Sequence, residues 1–124
     1  MEHKLTKVEE EVMQLIWEIG PCTVSNLLAH MGEPKPPHST ISSVVRILEK
    51  KGFVDHKAYG RTYEYFPIVT QEDYSGQRLN NLMQNYFGGS VKKLVSFLVN
   101  KNEVNLNELG ELMKDLENDE NEEA

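Results

Sequence analysis

A chain of 124 residues with 39% hydrophobic content can bury one modest core or two very small ones, so a two-module organisation would depend on oligomerisation. Its one cysteine, Cys22, excludes an internal disulfide framework and a multi-cysteine metal site, and no apolar run approaches the length of a membrane span. With no signal-peptide pattern either, the chain reads as soluble and cytoplasmic, without membrane insertion.

The net charge of −7 looks wrong for a nucleic-acid binder, but the charge is unevenly spread. Between Pro34 and Tyr63 six cations (Lys35, Arg46, Lys50, Lys51, Lys57, Arg61) face two acids, Glu49 and Asp55. From Pro67 onward five cations face eleven acids. A local basic patch decides contact with phosphates, whereas the total governs solubility. The second half is therefore not the part expected to touch DNA.

In chain order, Thr6-Lys7-Val8-Glu9 reads as a capping box. Val8, Val12, Leu15, Ile16 and Ile19 continue it as a helical stripe, with Met13 and Trp17 beside that stripe and Gly20-Pro21 as the stop. Trp17 is expected to be a packing residue. Cys22 can begin a short extended pairing segment. Thr23 is a second N-cap, followed by Val24, Leu27, Leu28 and Met31 at helical spacing up to Gly32. Glu33-Pro34-Lys35-Pro36-Pro37 is a stiff, non-helical connector, because each proline restricts the residue before it.

A helix follows with Pro37 or Ser39 at its entrance and Gly52 at its end. Ile41, Val44, Val45 and Leu48 place an apolar stripe on one side. Ser39, Ser43, Arg46 and Lys50 cluster on the other, with Ser42 at the margin and Glu49 nearer the edge. Hydroxyls and cations on a helix face suit phosphates and base edges. They are also what ordinary capping and dipole matching put at the two ends of a helix. The preceding helix and connector turn the pair into a helix-turn-helix of the wider class, with a connector longer than the minimal turn.

Phe53–Lys57 and Thr62–Phe66 read as two short strands joined by Ala58-Tyr59-Gly60-Arg61, a hairpin placed where a winged helix carries its wing. Lys57, Tyr59 and Arg61 lie at its tip, placed for backbone phosphates or the minor groove.

Beyond Pro67, Thr70 opens a helix with Leu79, Leu82, Met83 and Tyr86 as its stripe and Phe87 beside it. Gly76 near its start costs helix propensity and suggests a close packing contact. Gly88-Gly89 breaks the chain, and Ser90 caps a helix with Val91, Leu94, Val95 and Leu98 on one face. Asn105 and Glu108 cap a last helix with Leu106, Leu109, Leu112, Met113 and Leu116. Residues 117–124 are acidic and aliphatic-poor, and are expected to form a disordered tail. Three short amphipathic helices in about fifty residues cannot bury three apolar faces well within one chain. Pairing with a second copy through Leu79, Leu82, Met83, Tyr86, Phe87, Leu94, Val95, Leu98, Leu109, Leu112, Met113 and Leu116 is the economical solution, with folding back on the first module as its rival.

The order and spacing of these parts resemble the BlaI/MecI/CopY family of bacterial penicillinase repressors, from Leu5 to about Leu116. The resembling residues are 5–17 (LTKVEEEVMQLIW), 40–43 (TISS), 48–54 (LEKKGFV), 60–65 (GRTYEY) and 86–90 (YFGGS). The resemblance implies a mostly helical homodimer whose N-terminal winged helix-turn-helix reads an operator and whose C-terminal three-helix domain dimerises. It further implies control of antibiotic-resistance or copper genes and, in the β-lactam branch, a membrane sensor-protease as inducing partner. Three features depart from it. Ile47 stands where the family commonly has an arginine, with Arg46 before it. Ser96-Phe97-Leu98 stands in the neighbourhood where β-lactam repressors carry a scissile Asn-Phe bond. The cysteine cluster of the copper branch has no counterpart.

These readings divide the chain at 1–69, 70–116 and 117–124. They point to a homodimeric DNA-binding repressor on a pseudo-palindromic double-stranded operator, with Lys35, His38, Ser39, Thr40, Ser42, Ser43, Arg46, Lys50, Lys57, Tyr59 and Arg61 as contacts and Lys51 as a further phosphate partner. Two rivals stand beside this: a winged-helix protein-interaction module that never touches DNA, and a regulator whose signal is a small ligand in the C-terminal domain. No cofactor or metal is expected, since His3, His30, His38 and His56 show no metal-ligand spacing and read as surface or turn residues. No nucleophile elbow or phosphate loop suggests an enzyme.

Overall fold

The computed structural model describes residues 4–123, which leaves His3 outside. In chain order the elements are α1 (Lys7–Ile19), α2 (Val24–Ala29), α3 (His38–Lys50), β1 (Val54–Tyr59), β2 (Thr62–Pro67), α4 (Gln71–Phe87), α5 (Val91–Asn100) and α6 (Leu106–Glu123). The fold is mostly helical, with one two-stranded antiparallel sheet. Two compact units divide the chain, the first ending at Gln77 and the second starting at Arg78. The sequence-based boundary at residue 69 falls short of this because the first turns of α4 stay with the first unit. Tyr74 is buried there, with its ring centroid 5.8 Å from Trp17 and 5.5 Å from Phe53.

The local signals for α1 and α2 take the expected form. Thr6 Oγ1 accepts from the Glu9 amide while Glu9 Oε1 accepts from the Thr6 amide, so the capping box closes. Thr23 and Asn26 form a second such box at the start of α2. Gly20, at φ +83°, ends α1 in a conformation that other residues seldom adopt. The buried face of α1 is Glu9, Val12, Met13 and Ile16. It is rotated from the expected stripe: Met13 is fully buried and Val8 is exposed. A helix that packs on two neighbours needs a wider face than one stripe supplies. Trp17 is a packing residue as expected, donating from Nε1 to the Val69 carbonyl at 2.8 Å.

The first unit closes around Ile41, Val44, Val45 and Leu48 of α3, which join Val12, Met13, Ile16, Leu27, Phe53, Val54 and Tyr65 in one core. The extended residue Cys22 forms an antiparallel bridge with Tyr65, its amide donating to the Tyr65 carbonyl at 2.9 Å and its carbonyl accepting from the Tyr65 amide at 2.7 Å. This stitch ties the entrance of α2 to the hairpin. Burial and the neighbouring Glu64 charge push the Cys22 thiol up to about 11, which leaves it an inert core side chain. The hairpin is tighter than the sequence suggests. Tyr59 pairs with Thr62, so Gly60 and Arg61 alone form the connection and Ala58 and Tyr59 belong to β1. Gly60 sits at φ +64°, as the first position of a type II′ turn requires.

In the second unit Ser90 caps α5, its hydroxyl accepting from the Lys93 amide. Asn105 caps α6 by accepting from the Glu108 amide at 2.7 Å. Phe87 and Phe97 meet edge to face at 5.6 Å. Two expectations need correction. Helix α6 continues past Leu116 to Glu123, where a disordered tail is expected; Ala124 lies outside the described residues. Adding residues to an existing helix costs far less than starting one, and the glutamates there are good helix formers. Gly76 makes no close contact, since nothing lies within 4 Å of where its Cβ would stand. Ser96-Phe97-Leu98 lies inside α5, with its backbone in helical hydrogen bonds.

Lys51 also departs from its expected role. Its Nζ donates to Glu9 Oε1 at 2.6 Å, tying the end of α3 to the start of α1. Burial pushes the Glu9 carboxyl up, but the Lys51 hydrogen bond and charge together with the Thr6 bonds outweigh it and hold the group below its ordinary 4.5. A carboxylate held low stabilises the fold above its ordinary pKa and loses that contribution as pH falls through the folded value. Lys51→Met is expected to cost about 1–2 kcal/mol in urea denaturation at pH 7 and to flatten the loss of stability between about pH 5 and 3.

Candidate nucleic-acid interface

The face of α3 turned away from the core is built from small hydroxyls and cations because its apolar residues are taken up on the inside. The helix enters through Pro37, which supplies no side-chain cap. Its serines are therefore not consumed as N-caps, and the capping explanation of this serine-rich start does not hold. Ser43 Oγ donates to the Ser39 carbonyl at 3.0 Å, and Ser42 Oγ stands 3.3 Å from His38 Nδ1.

His38, Ser42 and Arg46 of α3 line one concavity with Arg61, Thr62 and Tyr63 of the wing, closed by Thr23, Val24 and Ser25 at the start of α2 and by Tyr65. Among the described residues no acidic side chain lines it. Four of the expected contact residues, His38, Ser42, Arg46 and Arg61, thus come together although the wing is distant in sequence. Thr23 and Ser25 were missing from the expected set. Thr23 was legible as a cap, but only the Cys22–Tyr65 stitch brings the start of α2 beside the wing.

The other expected contacts are distributed differently. Ser39, Ser43, Lys50, Lys57 and Tyr59 are exposed outside the concavity, on the same helix and on the wing. Thr40 lines a separate hollow with Lys7, Glu11, Met31 and Pro36. Lys35 donates from Nζ to the Leu28 and Met31 carbonyls, both at 2.7 Å. It closes the end of α2, a role in which its charge meets the carbonyl end of the helix. Ile47, at the position that departs from the family pattern, is 42% exposed on the outside of α3.

Charge at the inner edge of this surface is organised by α3 and the hairpin together. His56 Nδ1 and Glu49 Oε1 are 2.6 Å apart, and the His56 ring stacks on Tyr63 at 4.4 Å. His56 is therefore a partner of α3, not the bare surface residue expected. Burial and then the Glu49 charge hold the Tyr65 hydroxyl above its usual range, with Arg46 beside it pulling the other way. His30 is a capping residue, its Nδ1 2.9 Å from the Asn26 carbonyl.

Helix-turn-helix, wing and basic concavity are joined by a match over nearly the whole chain: residues 5–118 fit the penicillinase repressor family. The chain belongs to that family. Penicillinase repressors are transcriptional repressors, and among them the chain is 26% identical over 111 residues to the methicillin resistance regulatory protein MecI of Staphylococcus aureus strain N315, covering 89% of this chain and 90% of that protein. It is 23% identical over 119 residues to the penicillinase repressor of Bacillus licheniformis, covering 95% of this chain and 93% of that one. Among solved structures it resembles a possible transcriptional regulator for arsenical resistance, with a TM-score of 0.50 and 26% identity over 73% of this chain and 86% of that one. No described helix of this chain is long and apolar enough to cross a membrane.

Proposed function

We propose that this chain is a homodimeric repressor that binds a pseudo-palindromic operator, laying α3 in the major groove and the wing tip on the flanking backbone. The observation that carries the reading is the acid-free concavity in which Arg46 and Ser42 of α3 share one wall-to-wall surface with Arg61 of the wing. Base edges are read by hydroxyls and arginine on the helix, and phosphates by cations at the tip. Ser42 and Arg46 are assigned to base edges or groove-wall phosphates, and Lys50, Lys57 and Arg61 to phosphates. Lys35 and Lys51 are left out because their ammonium groups are already engaged.

Dimerisation is proposed for the second unit. Leu79, Leu82, Tyr86, Val91, Phe97, Leu106, Leu112, Met113 and Leu116 are all exposed, and α5 buries no residue. Faces of this kind in a soluble chain mark an interaction surface. A two-fold pair of winged helices would present its two recognition helices to half-sites about one helical turn, or a small multiple, apart.

Two experiments test this. In fluorescence-anisotropy titrations against a selected operator and a random duplex, Arg61→Ala is expected to weaken both alike and to reduce the slope of log K against log salt by about one, while Arg46→Ala narrows the gap between them by about 1–3 kcal/mol. An unchanged salt slope in Arg61→Ala contradicts the phosphate assignment. Sedimentation equilibrium is expected to show a dimer for the wild type and a monomer, with the winged unit still folded, for Leu112→Asp/Leu116→Asp. A wild-type monomer at micromolar concentration contradicts the pairing.

A further inference from the structure

Glu49 lies near the end of α3, and Asp55 and His56 open β1. One ligand atom from each lies within 4.8 Å of the other two. The three are not paired off with cations in the usual way. Among the described residues Glu49 makes its ion-pair contact with His56, and Asp55 makes none. Two carboxylates thus stand beside a single imidazole, which leaves local negative charge beside a surface that is otherwise basic.

The groups are held as ligands are held. Tyr63 stacks on the His56 ring with an interplanar angle of 22°, which restrains the imidazole. Asp55 Oδ1 accepts from the His56 amide at 2.8 Å, which restrains the carboxylate. Partners of this kind orient the ligands of metal sites. Ligand atoms around one tetrahedral zinc ion stand roughly 3.3 Å apart, given bonds near 2.0–2.2 Å. Side-chain rotation of the exposed Asp55 and half-exposed Glu49 accommodates that spacing.

We propose that Glu49, Asp55 and His56 form a site for one Zn²⁺ ion at the joint between α3 and the wing. One imidazole and two carboxylates match the borderline ligand preference of zinc and offset its charge, whereas calcium and magnesium favour all-oxygen shells of six or more. Three protein ligands leave the fourth position to water. An ion here ties the helix carrying Arg46 to the strand leading to Arg61.

The test measures zinc uptake without DNA, so its result stands apart from the reading of the interface above. The full chain, stripped with a chelator, is titrated with ZnCl₂ against a chromogenic competitor, with circular dichroism confirming that each variant is folded. The expected result is one ion per chain for the wild type, with affinity lowered by about tenfold or more in Asp55→Asn and in His56→Phe. Asp55→Asn alters an exposed side chain and keeps the test valid if His56→Phe destabilises the hairpin. His30→Ala is expected to bind as the wild type does. No saturable uptake by the wild type, or variants at Asp55 and His56 that bind like the wild type, would overturn the site.

Discussion

Ile41, Val44, Val45 and Leu48 lose nearly all their exposure against α1, α2 and the hairpin, and the rest of the first unit depends on that burial. Each such side chain contributes about 1.5–3 kcal/mol when fully buried. A slip of one residue would turn α3 by about 100° and bring Ser42, Arg46 and Glu49 into this stripe. The outward surface is therefore determined energetically by the inward one. The hydroxyls and cation stay on the far side because the core holds the near side.

A second constraint acts through the backbone. The isolated bridge between Cys22 and Tyr65 ties the two-stranded hairpin to the residue before α2. The Glu9–Lys51 pair and Lys35 at the end of α2 belong to the same scaffold: cations that would be spare in a purely charge-based reading are spent on holding helix ends. This leaves a smaller and better-defined set of free cations than the net charge of 34–63 suggests.

Much of this was legible in the chain itself. Periodicity at 41, 44, 45 and 48, the two capping threonines and the Gly60 turn specified their elements because each acts through neighbours within a few residues. The misses are non-local. Lys35 and Lys51 read as free cations because their partners, Met31 and Leu28 in one case and Glu9 in the other, are set by packing. Thr23 and Ser25 entered the concavity only through a strand bridge to Tyr65. His56 read as a lone histidine because Glu49 meets it across a helix end and a turn. At α6, composition suggested a tail, whereas helix propagation carries the backbone on to Glu123.

The acidic balance of the chain and its basic concavity are compatible because contact with phosphates is decided by the local patch, not by the total. Exposed leucines and aromatics lie in the second unit, and Arg46 and Arg61 line the concavity of the first. The central claim, that the outward face of α3 and the wing tip bind a duplex as one surface, is tested most directly by amide chemical-shift mapping of the full chain with duplex DNA at low salt. The account predicts shifts concentrated at Ser39, Ser42, Ser43, Arg46 and Gly60–Thr62, reversed by added salt. Shifts confined to the outer face of α1, or none at all, would contradict it.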